Sequence, residues 1–83
     1  MRLAHFCKKQ GMTLEQYRAY KISLEEKAQK IYDTIVFDHL KGTGMYFSLA
    51  DYVDIDTQES RFVMQFLQEI GLEIFYETLE FRI

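Results

Sequence analysis

Two histidines and one cysteine are the residues of this chain best suited to metal binding or nucleophilic chemistry, and their spacing serves neither. A structural zinc site draws Cys and His ligands in pairs that converge on one ion. His5 and Cys7 are too close for a helical pair and lack further ligands. His39 falls inside an apolar stripe, where a satisfied core or edge histidine is expected. Gly42-Thr43-Gly44 is a loop of two glycines, not a phosphate-binding loop. Asp54 and Asp56 could chelate a cation, but their loop lacks the glycine and the ligand count of a calcium site. No catalytic constellation, metal site or cofactor is expected, and the chain does not read as an enzyme.

Binding chemistry is better represented. Gln58, Gln65 and Gln68 could read adenine edges and Arg61 a guanine. Phosphate contacts, however, need Lys and Arg, and the residues before this set are Asp51, Asp54, Asp56 and Glu59, which would repel a phosphate backbone. Carboxylates on an exposed face steer association with a basic protein surface, and exposed tyrosines anchor interfaces. Asp51, Asp54, Asp56, Glu59, Arg61, Gln65, Tyr46 and Tyr52 therefore form the expected protein interface. Glu69, Glu73, Glu77 and Glu80 continue the acidic character. The opposite chemistry lies in the N-terminal third, where Lys8, Lys9, Arg18, Lys21, Lys27 and Lys30 could make a basic face that binds nucleic acid in a salt-sensitive way.

The elements that must position these residues are marked by helix-start signals. A Ser, Thr or Asp followed three residues later by Glu or Gln satisfies two free backbone donors reciprocally. Thr13-Leu14-Glu15-Gln16, Ser23-Leu24-Glu25-Glu26 and Asp56-Thr57-Gln58-Glu59 fit this pattern, and Ser48-Leu49-Ala50-Asp51 is a near variant. Gly11, Gly42 and Gly71 stand just past apolar-periodic runs, where a left-handed residue ends a helix. The spacing predicts helices at about 2–10, 14–21, 24–41, 49–54 and 57–70. On the 24–41 helix, Leu24, Ala28, Ile31, Tyr32, Ile35, Val36 and Leu40 share one face, with Phe37 on the other. On the 57–70 helix, Phe62, Val63, Phe66, Leu67 and Ile70 form the buried stripe, with Gln58, Arg61, Met64, Gln65 and Gln68 pointing away. Residues 72–83 are rich in strand formers, and their apolar parity shifts near Glu77 as at a bulge or tight hairpin. A strand or hairpin is expected there.

Two stretches share a layout. "TLEQY" (13–17) leads to "IS" (22–23) and a longer helix, and "SLADY" (48–52) leads to "ID" (55–56) and another. Each places a short capped helix directly before a second capped helix, the arrangement of a helix-turn-helix unit. The second copy continues "FLQEIGLEI", a helix ending in Gly and then a strand. Here the chain resembles a winged-helix domain, in which a helix-turn-helix is followed by a small β-ribbon. The resemblance covers residues 24–83 and rests on layout; the turn "DIDT" is acidic and no Gly marks a wing tip.

With 83 residues, 48% hydrophobic and 16% aromatic, the chain is long enough for one domain with a rich core. It has no Pro and a single Cys, so an internal disulfide framework is ruled out and a reducing, cytoplasmic location is expected. No apolar run approaches the roughly 20 residues that span a bilayer. The net charge of −3 is divided unevenly: residues 1–30 carry +4 and residues 31–83 carry −7. Tyr17, Tyr20, Tyr46, Phe47, Tyr52 and Tyr76 include more rings than a core this size must hide, with Tyr46 and Tyr52 expected to be partly exposed. The expected protein is a mainly α (α+β) single domain, residues 1–83, helix-turn-helix or winged-helix-like, with a C-terminal strand or hairpin. Its expected role is that of a small regulatory or adaptor protein acting through a protein partner or a second copy of itself. The alternatives are a DNA-binding regulator that uses the basic N-terminal third, and a DNA-mimicking inhibitor of a nucleic-acid-binding protein.

Overall fold

A computed structural model of the chain describes residues 2–39 and 45–82. The order along the chain is α1 (Leu3–Lys9), α2 (Leu14–Asp38), β1 (Phe47–Ser48), a 3-10 turn (Leu49–Asp51), α3 (Gln58–Ile70), β2 (Glu73–Phe75) and β3 (Glu80–Arg82). The strands form one antiparallel sheet in the order β1-β3-β2. Phe81 pairs with both Phe47 and Ile74, and Glu80 with both Ser48 and Phe75. A small α+β domain results, with its sheet at the C-terminal end, and the layout is compatible with a winged-helix-like arrangement.

The expected helices at 14–21 and 24–41 are one helix of 25 residues, about 37 Å long at 1.5 Å per residue. Thr13 caps it as expected: its side chain accepts from the Gln16 amide at 3.2 Å, and Gln16 Oε1 accepts from the Thr13 amide at 2.9 Å. Ser23-Leu24-Glu25-Glu26 has the same letters but lies in the helix interior. Its amides already bond to the preceding turn, so no free donors call for a cap, and no Gly or Pro interrupts the run. The first stretch is therefore no helix-turn-helix. α2 ends at Asp38 with His39 extended beyond it, and Leu40 and Gly42, expected in and just past the helix, lie outside the described residues.

The second stretch does change direction, though less regularly than expected. The helix predicted at 49–54 is a single 3-10 turn, and Ser48 makes no side-chain cap bond. The cap of α3 is Thr57 rather than Asp56: Thr57 Oγ1 accepts from the Ser60 amide at 3.1 Å and lies 2.7 Å from Ser60 Oγ. Asp56 instead donates its amide to Asp54 Oδ1 at 3.2 Å, a side-chain-closed turn that aspartate favours. α3 stops at Gly71, whose φ of 131° suits a residue without Cβ. There the Leu72 amide reaches back to the Leu67 carbonyl at 3.0 Å.

α3 packs along the middle of α2 and on the inner face of the sheet. Leu24, Ala28, Ile35, Phe62, Leu67 and Phe81 are at most 1% exposed and define the core. α1 closes one end, with Cys7 buried and the Phe6 ring 5.4 Å from Phe62. The stripe on α3 differs from expectation at Met64, which is 3% exposed instead of facing away, because the β2–β3 turn folds over the helix and buries a wider arc than α2 alone would. Val36, expected on the buried face of α2, is surface-exposed, and Phe37 is 90% exposed on the far side. The tail forms the expected hairpin, and the parity shift near Glu77 is its Tyr76–Leu79 turn.

Candidate functional site

The exposed face of α3 and the β2–β3 turn enclose a groove of about 470 Å³ lined by Ile55, Arg61, Met64, Gln65, Tyr76 and Leu79. Helical spacing sets Arg61, Gln65 and Gln68 on one side of α3, away from the buried stripe. The turn is held against this side by the Tyr76 hydroxyl, which donates to Gln68 Oε1 at 2.9 Å. Burial pushes the Tyr76 phenol above its usual range. Leu79 holds a left-handed backbone at φ 54°, a conformation that costs a branched side chain on the order of 1 kcal/mol. Its carbonyl accepts from the Leu49 amide at 2.9 Å, which fastens the turn to the 3-10 segment. The Arg61 side chain makes no ion pair or hydrogen bond among the described residues.

The residues expected to share one acidic interface are divided among four places. Arg61 and Gln65 line the groove, and Asp54 and Asp56 stand exposed on either side of Ile55. Glu59 projects about 200° around α3 from Arg61, toward α2, and binds Lys27 at 3.2 Å. Asp51 also faces α2, in a shallow depression shared with Lys30, Ile31, Thr34 and Tyr52. Tyr46 is exposed, as expected, but on the outer face of the sheet, where its ring meets Phe75 at 5.2 Å.

Tyr52 is half-buried and turned inward. Its hydroxyl donates to Asp38 Oδ2 at 2.9 Å and lies 2.8 Å from His39 Nε2. With its one proton committed to Asp38, the phenol can only accept from His39, so Nε2 carries the hydrogen. Burial, followed by the hydrogen bond and charge of Asp38 and the charge of Asp51, pushes the Tyr52 pKa up to about 12. His39 also stacks on Phe47, with centroids 3.7 Å apart. This cluster ties the end of α2 to the sheet. It meets the expectation of a histidine satisfied by its neighbours.

The basic residues do not share a face either. Lys8 and Lys9 end α1, while the other four lie on the single helix α2. Nine residues separate Arg18 from Lys27, so at 100° per residue they project from opposite sides, about 180° apart. Lys21 is 3.9 Å from Glu25, and Lys27 is paired with Glu59. Among the described residues, no group of three His, Cys, Asp or Glu side chains converges to hold a metal ion, and no helix is long and apolar enough to cross a membrane.

Reading by residue type missed Ile55, Leu79 and the pairing of Tyr46 with Phe75. The hairpin signal at Glu77 announced a turn, but which helix it folds against is not a local property. Compared with known proteins, the chain matches no family model, no curated protein and no solved structure.

Proposed function

We propose that this domain is a small non-catalytic regulatory or adaptor module that binds a protein partner through the groove between α3 and the β2–β3 turn of a winged-helix-like scaffold. The observation that carries the reading is the lining of that groove: an apolar floor of Ile55, Met64 and Leu79 beside the unpaired Arg61 and Gln65. Apolar contact with a few placed polar groups suits a peptide or protein surface, and a free guanidinium can grip a carboxylate or a main-chain carbonyl. A phosphate backbone is poorly served, because Arg61 is the only cation lining the groove and Asp54 and Asp56 stand exposed on either side of its Ile55. The left-handed Leu79 adds support, since backbone strain of this kind gathers at working surfaces. The division of Arg18, Lys21, Lys27 and Lys30 between opposite sides of α2 gives the DNA-binding reading less support, and the pairing of Glu59 with Lys27 weakens the DNA-mimic reading.

A fluorescence-anisotropy titration with mixed-sequence duplex DNA, at low salt and again at higher salt, tests the choice of partner. No binding is expected even at low salt, where attraction is strongest. Tight binding that salt weakens would overturn the adaptor reading. A parallel selection of displayed random peptides on the protein should yield ligands whose binding is lost in Arg61→Ala and Gln65→Ala.

A further inference from the structure

We propose that the outer face of the sheet is a recognition site for a cationic side chain, the lysine or arginine of a basic peptide segment on a protein partner. This rests on the protein-binding reading above and adds to it a second surface, which shares Tyr76 with the α3 groove and extends from it onto the outer face of the sheet. An open depression of about 490 Å³ is walled by the rings of Tyr46, Phe75 and Tyr76, with Glu77 and Glu80 on its margin. Tyr46 and Phe75 meet edge to face at 62° and leave an aromatic corner. Tyr46 is 52% and Tyr76 49% exposed, so the rings are open to a ligand.

The charges select the occupant. Glu73, the third carboxylate of this hairpin face, is already taken by Arg82, with bonds of 2.7 and 3.0 Å. The side chains of Glu77 and Glu80 make no ion pair or hydrogen bond among the described residues. The depression therefore holds aromatic walls and two uncompensated negative charges. An anionic ligand is repelled, and an apolar one would cover the carboxylates without partners, which costs free energy. A cation gains twice, from the carboxylates and from the negative faces of the rings. The molecule already contains one such contact: the Arg82 guanidinium lies 5.9 Å from the centroid of Tyr46. β2 ends the strand order, so an extended segment can run along its edge and deliver the side chain.

The test is a titration of the full-length, isotope-labelled protein at low salt with a short peptide of alternating Lys and Gly, using the matching Glu–Gly peptide as control. Amide shifts at Tyr46 and at Phe75 to Glu80 are expected with the basic peptide and none with the acidic one. The double variant Glu77→Gln/Glu80→Gln should weaken binding about tenfold, and Tyr46→Leu about two- to fivefold. All three positions reach the surface, and the amide spectrum itself verifies that each variant is folded. Wild-type affinity in the Glu77→Gln/Glu80→Gln variant, or shifts that gather at Asp51, Asp54 and Asp56 instead, overturns this site and leaves the adaptor reading standing on the α3 groove. Failure of the adaptor reading shows separately, in the DNA titration. If the same amides shift as protein concentration rises without peptide, and sedimentation reports a dimer, the occupant is a second copy and the partner assignment is overturned.

Discussion

Residues 13–26 and 48–59 present the same signals, a Thr or Ser start, a Leu and a Tyr at the same spacing after it, and a second start signal, yet they fold differently. The first becomes the uninterrupted beginning of α2, with no buried side chain from Leu14 to Ser23. The second becomes a 3-10 turn, an aspartate-closed bend and a fresh helix, with Leu49 and Val53 buried. A start signal acts only where the preceding backbone cannot continue the helix. At 48–59 the chain is held by the β1–β3 pairing, by the bond from the Leu49 amide to Leu79 and by the Asp54 turn. At 13–26 nothing equivalent holds it, and helix propensity carries through.

The contrast can be broken most sharply in the core. Phe62→Ala in α3 should cost about 3–5 kcal/mol, measured by denaturant unfolding, while Ile22→Ala, 56% exposed in the first stretch, should stay within about 0.5 kcal/mol. Next in size is the helix interior itself. Ser23→Pro should cost about 3 kcal/mol; a far smaller loss would mean that α2 is jointed at the place where two helices were expected. The caps come third. Thr57→Ala should cost about 1 kcal/mol, whereas Ser23→Ala should raise stability by a few tenths of a kcal/mol, since alanine is the better interior helix former.

Tyr52→Phe removes the hydroxyl shared by Asp38 and His39 and should cost about 1 kcal/mol at neutral pH. Its pH dependence is more telling. A phenol whose pKa is raised from 10.0 to about 12 by folding contributes stability that is whole below pH 10 and is lost as pH climbs through 12. Wild-type unfolding free energy should therefore fall across that window, and Tyr52→Phe should remove the steepest part of the fall. Tyrosinate absorbance of the folded protein checks the same titration. The smallest effect belongs to the exposed Lys27–Glu59 pair, for which a double-mutant cycle should return about 0.2–1 kcal/mol. It still sharpens the comparison, because it asks whether the acids of the second stretch serve to hold it against α2.

Cys7 offers a probe of the same contrast. It is 1% exposed, and burial pushes its thiol above the usual range. Modification by a thiol reagent should be slow in the native protein and should report the release of α1 from Phe62.

Sequence by itself determined the local decisions. Thr13 had to cap, because its side chain and that of Gln16 satisfy donors that nothing else nearby could. Gly71 had to end α3, because only a residue without Cβ enters positive φ there cheaply. The α3 stripe and the C-terminal hairpin followed from apolar spacing and strand-forming residues. Tertiary structure decided what depends on neighbours distant in the chain. Ser23 lies inside a helix because no tertiary contact breaks α2 in front of it. Met64 is buried because the hairpin turn lies over it. Charges that look like one acidic and one basic face are dispersed, because 100° per residue sends Arg18 and Lys27 to opposite sides and turns Glu59 toward Lys27. Tyr46 meets Phe75 through the packing of segments nearly thirty residues apart, and spacing along a chain carries no information about that distance in space.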